Sequence, residues 1–293
     1  MRTTCACAAL DGNIYRIVLL ASSPAPALRN LIRHYYQVQE SLVGCVSLQP
    51  VPARSPQILE FMFGTRYRVH RIDRDTTEDV RAVALVGART CRSAELLLSG
   101  AVDAFTIVFQ PGAFAALFQI PAAELTNGDF DGEAVLGRPI SELYARLGEV
   151  SAFSDRVRVA DSWFAAVRPA GEPLTAITRS ALAVIRASGS VNVSDLARRT
   201  GLGMRQFERR FGHEIGVSPK LYARIVRFEA ALQRRAVCPS SRWTDIAHDL
   251  GYHDQMHMVH DFTRLSGDSP EAIARQLDMF VQPEVLSSKS GSS

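Results

Sequence analysis

Three histidines in the last third of the chain have a spacing that could bind a metal ion. His253, His257 and His260 stand at positions i, i+4 and i+7, which places all three on one face of a helix. Imidazole nitrogens are common zinc ligands. No neighbouring cysteine and no HExxH pattern accompanies them. We therefore favour an ordinary role in the helix, and predict no metal and no cofactor.

Positive charge is concentrated in one stretch of the chain. Residues 179–235 hold twelve Lys and Arg residues against four acidic ones, a net charge of +8, whereas the whole chain of 293 residues carries +3. Residues 236–280 are acidic, with three Arg against seven Asp and Glu. Such a basic block is either a solvated helical surface or a site for a polyanion, because each neutralised phosphate releases condensed counterions. Charge alone leaves both interpretations open.

Motifs for catalysis are absent from the sequence. It has no GxSxG, no P-loop, and no nucleophile with a base at a recognisable spacing, so we predict that the protein is not an enzyme. The five cysteines are odd in number and lack CxxC pairs, which argues against a disulfide framework and favours a reducing cytoplasm. No apolar run approaches the roughly 20 residues of a membrane-spanning helix. We expect a cytoplasmic protein with no membrane partner.

The elements that must position these residues change character along the chain. Residues 1–30 are small and Pro-containing, and their pattern assigns no clear element. Five short apolar or alternating runs follow and predict strands of a small antiparallel sheet or barrel, at 42–48, 58–63, 67–72, 81–86 and 104–109. Helical spacing then begins at Phe114, Leu117 and Phe118 and continues to Val167.

The domain boundary is predicted from composition. Residues 168–173 contain two prolines and a glycine, which is typical of a linker. We predict an α+β protein of two domains: a β-rich domain with trailing helices at 1–168, a linker at 169–174 and an all-helical domain at 175–280. The Ser-rich tail at 281–293 is predicted to be disordered.

The helical part contains a copy of itself. VSDLARRTGL at 193–202 aligns with WTDIAHDLGY fifty residues later, and beyond the turn Phe211 matches Phe262 at an offset of fifty-one. In each copy a short helix ends at a glycine, Gly201 or Gly251, where a positive φ turns the chain. Ser218-Pro219 and Ser269-Pro270 then supply an N-cap and a first-turn proline.

A short helix, a glycine turn and a longer helix make a helix-turn-helix, which presents the start of its second helix to the major groove. One such match is weak, but two in register, joined by an amphipathic segment at 221–235, are strong evidence. By spacing, the core should contain Phe207 and Phe211 in the first copy and Met258 and Phe262 in the second. Trp243, at the apolar start of the second copy, is also expected to be buried.

The helical half resembles the AraC/XylS family, in which two helix-turn-helix units are bridged by a connecting helix. The resemblance spans roughly residues 178–276, and FERRFGHEIGVSPKLYARIVRFEAAL and DIAHDLGYHDQMHMVHDF carry it. It implies a sequence-specific, DNA-binding transcription regulator whose partners are promoter DNA and RNA polymerase. It also places His257 at a position that is commonly His in the family.

The resemblance implies which residues read DNA. The first recognition helix would run over about 203–213, and the implied DNA-binding residues are Arg205, Gln206, Glu208 and Arg209, followed in the second unit by Gln255, Met256 and His260. The first set fits base chemistry, because Arg bonds bidentately to guanine and Glu accepts from cytosine. Arg205 and Arg209 could alternatively be ordinary exposed charges. The second set is poor in donors, so we expect the first unit to supply most of the affinity.

The N-terminal half resembles, more loosely, the sensor domains of a subgroup of the same family, through YYQVQESLVGCVSLQP at 35–50 and FQPGAFAALFQIPAAELTNGDF at 109–130. This resemblance implies a small-molecule effector, a homodimer, or both. Five aromatic residues either line an effector cavity or are simply core: Phe61, Phe63, Tyr67, Phe105 and Phe109. Arg68 and His70 either bind a carboxylate or lie at the surface.

Two other classes remain as alternatives. An enzyme in the N-terminal domain would need clustered acid–base residues, which the sequence does not offer, and the Pro-Cys-His-Arg sequence of cysteine-based alkyl-acceptor repair enzymes is absent. A non-specific nucleoid or RNA-binding protein would bind without sequence preference, whereas a regulator prefers its operator by at least about a thousandfold.

Overall fold

The structure is a computed structural model that describes residues 2–10, 13–167 and 174–278. The predicted linker at 169–174 lies outside these residues except for Leu174, and the predicted tail at 281–293 lies outside them entirely. The described residues form an antiparallel β-sheet followed by helices, which confirms the predicted α+β fold.

The sheet has nine strands, which pair in the order β1-β2-β3-β8-β4-β7-β9, while β5 pairs with β6 and β8. Their bounds are β1 Arg2–Leu10, β2 Asn13–Ser22, β3 Ile32–Val51, β4 Ile58–Met62, β5 Arg68–Arg71, β6 Thr76–Asp79, β7 Val83–Val86, β8 Ala94–Phe109 and β9 Asp129–Asp131. The five predicted strands are present. However, β3 and β8 are far longer than predicted, and β1 and β2 lie in the part that the pattern left unassigned.

Every residue of β4 and β7 is buried, so both faces of the sheet are covered there, which explains why β7 reads as a continuous apolar run. One face, with Phe105 and Phe109 of β8, packs against five helices. These are α1 Ala113–Phe118, α2 Ala122–Leu125, α3 Gly132–Leu136, α4 Arg138–Gly148 and α5 Phe153–Val167. The buried Arg156 of α5 donates to both carboxylate oxygens of Asp103 on β8, at 2.8 and 3.1 Å, and so ties the helical layer to the sheet.

The opposite face of the sheet carries Leu98, Val102, Ala104 and Val108 of β8 in a second apolar cluster. This alternation along β8 is the two-residue period of a strand. The opposite face turns towards the C-terminal helices, and a cavity lies between the two.

The C-terminal helices are α6 Ala176–Arg186, α7 Val193–Thr200, α8 Met204–Ile215, α9 Pro219–Val237, α10 Trp243–Asp249, α11 Gln255–Ser266 and α12 Pro270–Asp278. They build two cores that share α9. Tyr222 and Val226 of α9 pack with α6, α7 and α8. Phe228 and Leu232, further along α9, pack with α10, α11 and α12. The long helix therefore joins two separate helical units.

Candidate DNA-binding interface

The first unit, α7 and α8, has the local geometry of a helix-turn-helix. Asn192 caps α7, its side chain accepting from the backbone N–H of Ser194 at 2.9 Å and of Asp195 at 3.3 Å. Gly201 ends α7 with φ 72°, a left-handed conformation that glycine adopts without strain. The prediction for this turn is confirmed.

Within α8 the apolar and polar residues separate cleanly. Phe207 and Phe211 are fully buried and pack against each other, with ring centroids 5.6 Å apart. The predicted base readers Arg205, Gln206, Glu208 and Arg209 are all exposed on the other side of the helix. Among the described residues, neither Arg205 nor Arg209 has an acidic partner within 4 Å. Both guanidinium groups can therefore bind an anion or a base edge.

The second unit, α10 and α11, repeats this arrangement. Gly251, with φ 70°, makes the turn. Asp254 caps α11 by accepting from the backbone N–H of His257 at 2.7 Å. Met258 and Phe262 are fully buried, as predicted. Gln255, Met256 and His260 are exposed on the opposite side, and Met256 is 73% exposed.

Trp243 differs from the prediction, because it is half-buried rather than buried. Its ring packs against Phe262 at 5.5 Å, while its Nε1 donates to Glu271 at 2.9 Å. This hydrogen bond lowers the pKa of the Glu271 carboxyl. An indole N–H needs an acceptor, and here it finds one at the surface of α12.

The three histidines His253, His257 and His260 lie at the surface. His257 Nδ1 accepts from the backbone N–H of His253 at 3.5 Å, and its ring packs edge-on against Tyr252. In the described part of the chain no group of three His, Cys, Asp or Glu side chains could hold a metal ion.

Side chains of α9 hold the two units together. Arg224 donates to the buried Asp261 of α11, at 3.0 Å from Nε and 2.5 Å from Nη2. Arg227 donates to the carbonyl of Gly189, before α7, at 2.9 Å. The same guanidinium lies 5.2 Å above the ring of Tyr252 in the second unit. No sequence signal pairs these residues, because the partners are 37 and 38 positions apart in the chain.

A cavity of about 400 Å³ lies between the sheet and the second unit. Its strand walls include Val38, Leu98 and Ala104, and its helix walls include Leu232 and Ala236 of α9 with Ala274 and Leu277 of α12. A smaller cavity of about 150 Å³ is lined by residues of the sheet domain alone. Both cavities share the lining residues Tyr36, Val51, Arg54, Glu60, Tyr67 and Leu96. No pattern in the sequence indicates that α9 and α12 form part of this space.

The cavity wall contains a buried carboxyl group. Tyr67 Oη and Thr106 Oγ1 both donate to Glu60, yet burial outweighs these bonds and raises the pKa of Glu60. Arg54 also lines the cavity, and its Nε is buried without a hydrogen-bond partner among the described residues. The space therefore has apolar walls and a few polar groups, as small-molecule sites do.

The predicted effector-lining aromatics divide between the two faces of the sheet. Tyr67 lines the cavity. Phe61, Phe105 and Phe109 belong to the core on the opposite face, and half-buried Phe63 packs on Tyr144 with ring centroids 5.4 Å apart. Arg68 is exposed, and His70 is half-buried with its Nδ1 3.3 Å from Thr77 Oγ1. Neither of these two lines either of the two cavities.

Comparison with known proteins gives two family matches. A family described as a helix-turn-helix domain matches residues 196–276, and a domain of unknown function, DUF6597, matches residues 21–131. No curated protein matches the sequence.

Several solved structures are similar to the chain. ToxT from Vibrio cholerae is 10% identical, over 83% of this chain and 97% of that one, with a TM-score of 0.48. The AraC-like transcriptional activator CuxR is 11% identical, over 79% of this chain and 82% of that one, with a TM-score of 0.31.

The two repeated units and the helix-turn-helix match define a DNA-binding transcription regulator, a class that points away from an enzyme. Within that class, two helix-turn-helix units on one connecting helix, with a β-sheet domain before them, are the arrangement that the resemblance to the AraC/XylS family predicts. None of the helices in the described ranges combines the length and the apolar character needed to cross a bilayer.

Proposed function

We propose that the chain recognises specific promoter sequences by placing α8 and α11 in the major groove. The observation that carries this proposal is the division of both helices into a buried apolar side and an exposed side that bears the predicted readers. In the first unit, Arg205 and Arg209 bond to guanine edges or phosphates, Glu208 accepts from cytosine, and Gln206 bonds to adenine.

The second unit contributes differently to recognition. Gln255 can bond to an adenine edge, and the exposed thioether of Met256 suits the methyl group of thymine. His260 adds a donor whose charge depends on pH. Because residues 236–280 are acidic and residues 179–235 carry +8, most of the phosphate attraction comes from the first unit. The first unit therefore supplies most of the affinity.

A DNA selection from genomic fragments, followed by anisotropy titrations on the selected and scrambled DNA over a salt series, tests this proposal. The wild type should prefer the selected DNA by at least about a thousandfold. Arg205→Ala/Arg209→Ala should weaken specific binding by roughly tenfold or more, since each good bidentate contact discriminates by about 1–3 kcal/mol.

The matched control is Arg66→Ala/Arg146→Ala, which removes the same two charges from exposed positions in the sheet domain. It should leave the preference intact. Equal binding of the wild type to all DNA would favour the non-specific nucleic-acid binder. A selection that returned no sequence, together with no binding at low salt, would contradict the regulator.

We also propose that a small molecule of mixed polarity controls the protein from the cavity. Support comes from the walls of that space, because one side belongs to the sheet domain and the other to α9 and α12. These two helices belong to the C-terminal helical domain, α6 to α12, which we call the reader. A ligand that fits one arrangement of these walls better than another shifts the equilibrium between them. Measuring operator affinity with and without a compound that raises the Tm tests this coupling.

The remaining parts of the proposal follow from the regulator class. We place the protein in the bacterial cytoplasm, associated with the nucleoid, with RNA polymerase as a partner and a homodimer as its functional form. The domain limits remain those predicted from composition, at 1–168 and 175–280 with a linker at 169–174. Footprinting of the operator tests the dimer, since two copies should protect twice the length of DNA that one protects.

A further inference from the structure

A short extended segment between β3 and β4, Ala53–Gln57, touches three helices of the reader in turn. The backbone N–H of Ala53 donates to the carbonyl of Leu265 in α11 at 2.9 Å. Ser55 donates to Glu229 of α9, at 2.6 Å from the backbone N–H and 2.8 Å from Oγ. Gln57 Nε2 donates to the carbonyl of Ile215, the last residue of α8, at 2.9 Å. We name residues 53–57 the bracing segment.

Burial along the bracing segment alternates as it does in a strand. Ala53, Ser55 and Gln57 are buried against the helices, while Arg54 and Pro56 are half-buried on the other side. An extended chain rises about 3.3 Å per residue, so the segment spaces its three contacts evenly over roughly 13 Å. The side chain of Arg54, on the opposite side, lines both cavities.

Two further contacts hold the same ends of the recognition helices. Thr126 Oγ1 donates to the carbonyl of Gly216 at 2.7 Å, directly after α8. Arg92 Nη1 pairs with Asp268 Oδ2 at 2.6 Å, directly after α11. Gly216 and Gly267 are matching positions of the internal repeat, and both have positive φ, 101° and 78°. The sheet domain thus grips both recognition helices at the same place, their C-terminal ends.

The location of these contacts matters because the exposed readers lie on the opposite, N-terminal halves of α8 and α11. The last carbonyls of a helix have no partner within the helix, so Gln57, Thr126 and Ala53 can hold them without disturbing the helix. Apart from the sheet domain, the two units are joined through α9 and through Arg227. The bracing segment adds an independent link between the far ends of both helices.

We infer that the sheet domain is a brace that sets the separation and angle of the two recognition helices. It thereby sets the spacing of the two half-sites, which are the DNA segments that α8 and α11 of one chain contact. Gln57, Thr126 and Arg92 are then positioning residues for DNA recognition, although none of them lies on the DNA-binding face. This inference rests on the proposed function. One added base pair moves a half-site by about 3.4 Å and turns it by roughly 35°, so a rigid reader detects it.

The test uses the full chain and an operator series in which the spacer between the half-sites is shortened or lengthened by one base pair. The release variant Gln57→Met/Thr126→Val keeps side-chain volume but frees the end of α8. Its matched control, Gln110→Met/Thr90→Val, removes one amide and one hydroxyl that bond only within the sheet domain. Wild type and control should lose about tenfold in affinity at the altered spacers, and the release variant about threefold or less.

Asp268→Asn removes the ion pair that Arg92 makes at the end of α11, and it is a second, independent test. This variant should also relax the preference for one spacer length. If the release variant does not fold in a thermal melt, the result for Asp268→Asn decides. Folded variants that keep the wild-type penalty at both altered spacers would overturn the inference. A wild type that selects one DNA sequence but tolerates every spacer would also overturn it, with the proposed function intact. A wild type that selects no sequence contradicts the proposed function instead.

Discussion

At the scale of single residues, two carboxyl groups on the cavity face of the sheet differ in their surroundings. Glu60 accepts hydrogen bonds from Tyr67 and Thr106. Glu40, which pairs in register with Val102, is 4% exposed, and its Oε2 is buried without a partner among the described residues. Burial raises the pKa of Glu40 to about 7, because the interior disfavours the charged form.

Glu40→Gln should therefore stabilise the protein at high pH. The folded-state pKa of about 7 exceeds the reference value of 4.5, so the folded state binds the proton more tightly. Wild-type stability falls as pH rises from 4.5 to 7. At pH 8 we expect the variant to be more stable by about 3 kcal/mol, and at pH 4 we expect almost no difference. Urea unfolding at both pH values measures this.

The control for this experiment is Glu149→Gln at an exposed position of the sheet domain, which should leave stability unchanged at either pH. A Glu40→Gln variant that gains nothing at pH 8 would show that the carboxylate is stabilised by its surroundings rather than penalised.

The burial of side chains was predictable from the sequence where it depends only on the helical period. The buried positions Phe207, Phe211, Met258 and Phe262 were predicted correctly, because helical spacing fixes which side of α8 and α11 faces inwards. The part played by Gln57 and Thr126 was not predictable, since each acts on a carbonyl 158 or 90 residues away. Trp243 was predicted to be buried, and its N–H keeps it at the surface.

At the scale of elements, a buried ion pair joins the second recognition helix to α9. Asp261 of α11 is 1% exposed, and Arg224 is its charged partner. The desolvation of a buried ion pair offsets most of its attraction, but removal of one partner leaves a buried charge uncompensated. The pair therefore contributes to how α11 is oriented more than to net stability.

A double-mutant cycle measures this dependence. Arg224→Met should cost about 3–5 kcal/mol of unfolding free energy, because Asp261 is left buried and alone. The double variant Arg224→Met/Asp261→Leu should recover most of that loss, since no charge then remains in the interior. Chemical denaturation of Arg224→Met, Asp261→Leu and the double variant beside the wild type gives the coupling energy. Equal stability of Arg224→Met and the double variant would refute the uncompensated charge as the cause.

The length of the strands shows what pattern reading misses. In β3 the prediction covered only 42–48, because Gln37 and Glu40 interrupt the apolar sequence; both are buried inside the sheet. A polar residue that faces a protein interior resembles one that faces water when only the sequence is available. The two helix-turn-helix units were predicted better, because caps and glycine turns are local signals and the repeat supplied each of them twice.

At the scale of the whole molecule, the cavity lies between the sheet domain and the reader. A ligand bound there should raise the free energy of unfolding. A ligand at a hundredfold excess over its Kd adds about 2.7 kcal/mol to the folded state. Ala236→Trp places an indole at the α9 wall of the cavity. We expect this variant to lose the rise in Tm that a binding compound gives the wild type in thermal-shift screening.

The control for the cavity is Ala145→Trp, which adds the same side chain at an exposed position of α4. It should keep the ligand-induced rise in Tm. If Ala236→Trp responded to the compound as strongly as the wild type, the ligand would bind elsewhere and the cavity would not be the effector site.

Helix α9 both lines the cavity and holds the two helix-turn-helix units, which affects how such a protein could come to respond to a new small molecule. Leu232 and Ala236 of this helix face the cavity, while Arg224 and Arg227 of the same helix fix α11 and the loop before α7. Mutations on α9 that favour a new inducer would therefore alter promoter choice at the same time. Strand residues Val38, Leu98 and Ala104 line the same space from the sheet domain, outside α9. Adaptation to new inducers, in nature or in biosensor engineering, should concentrate on those three positions.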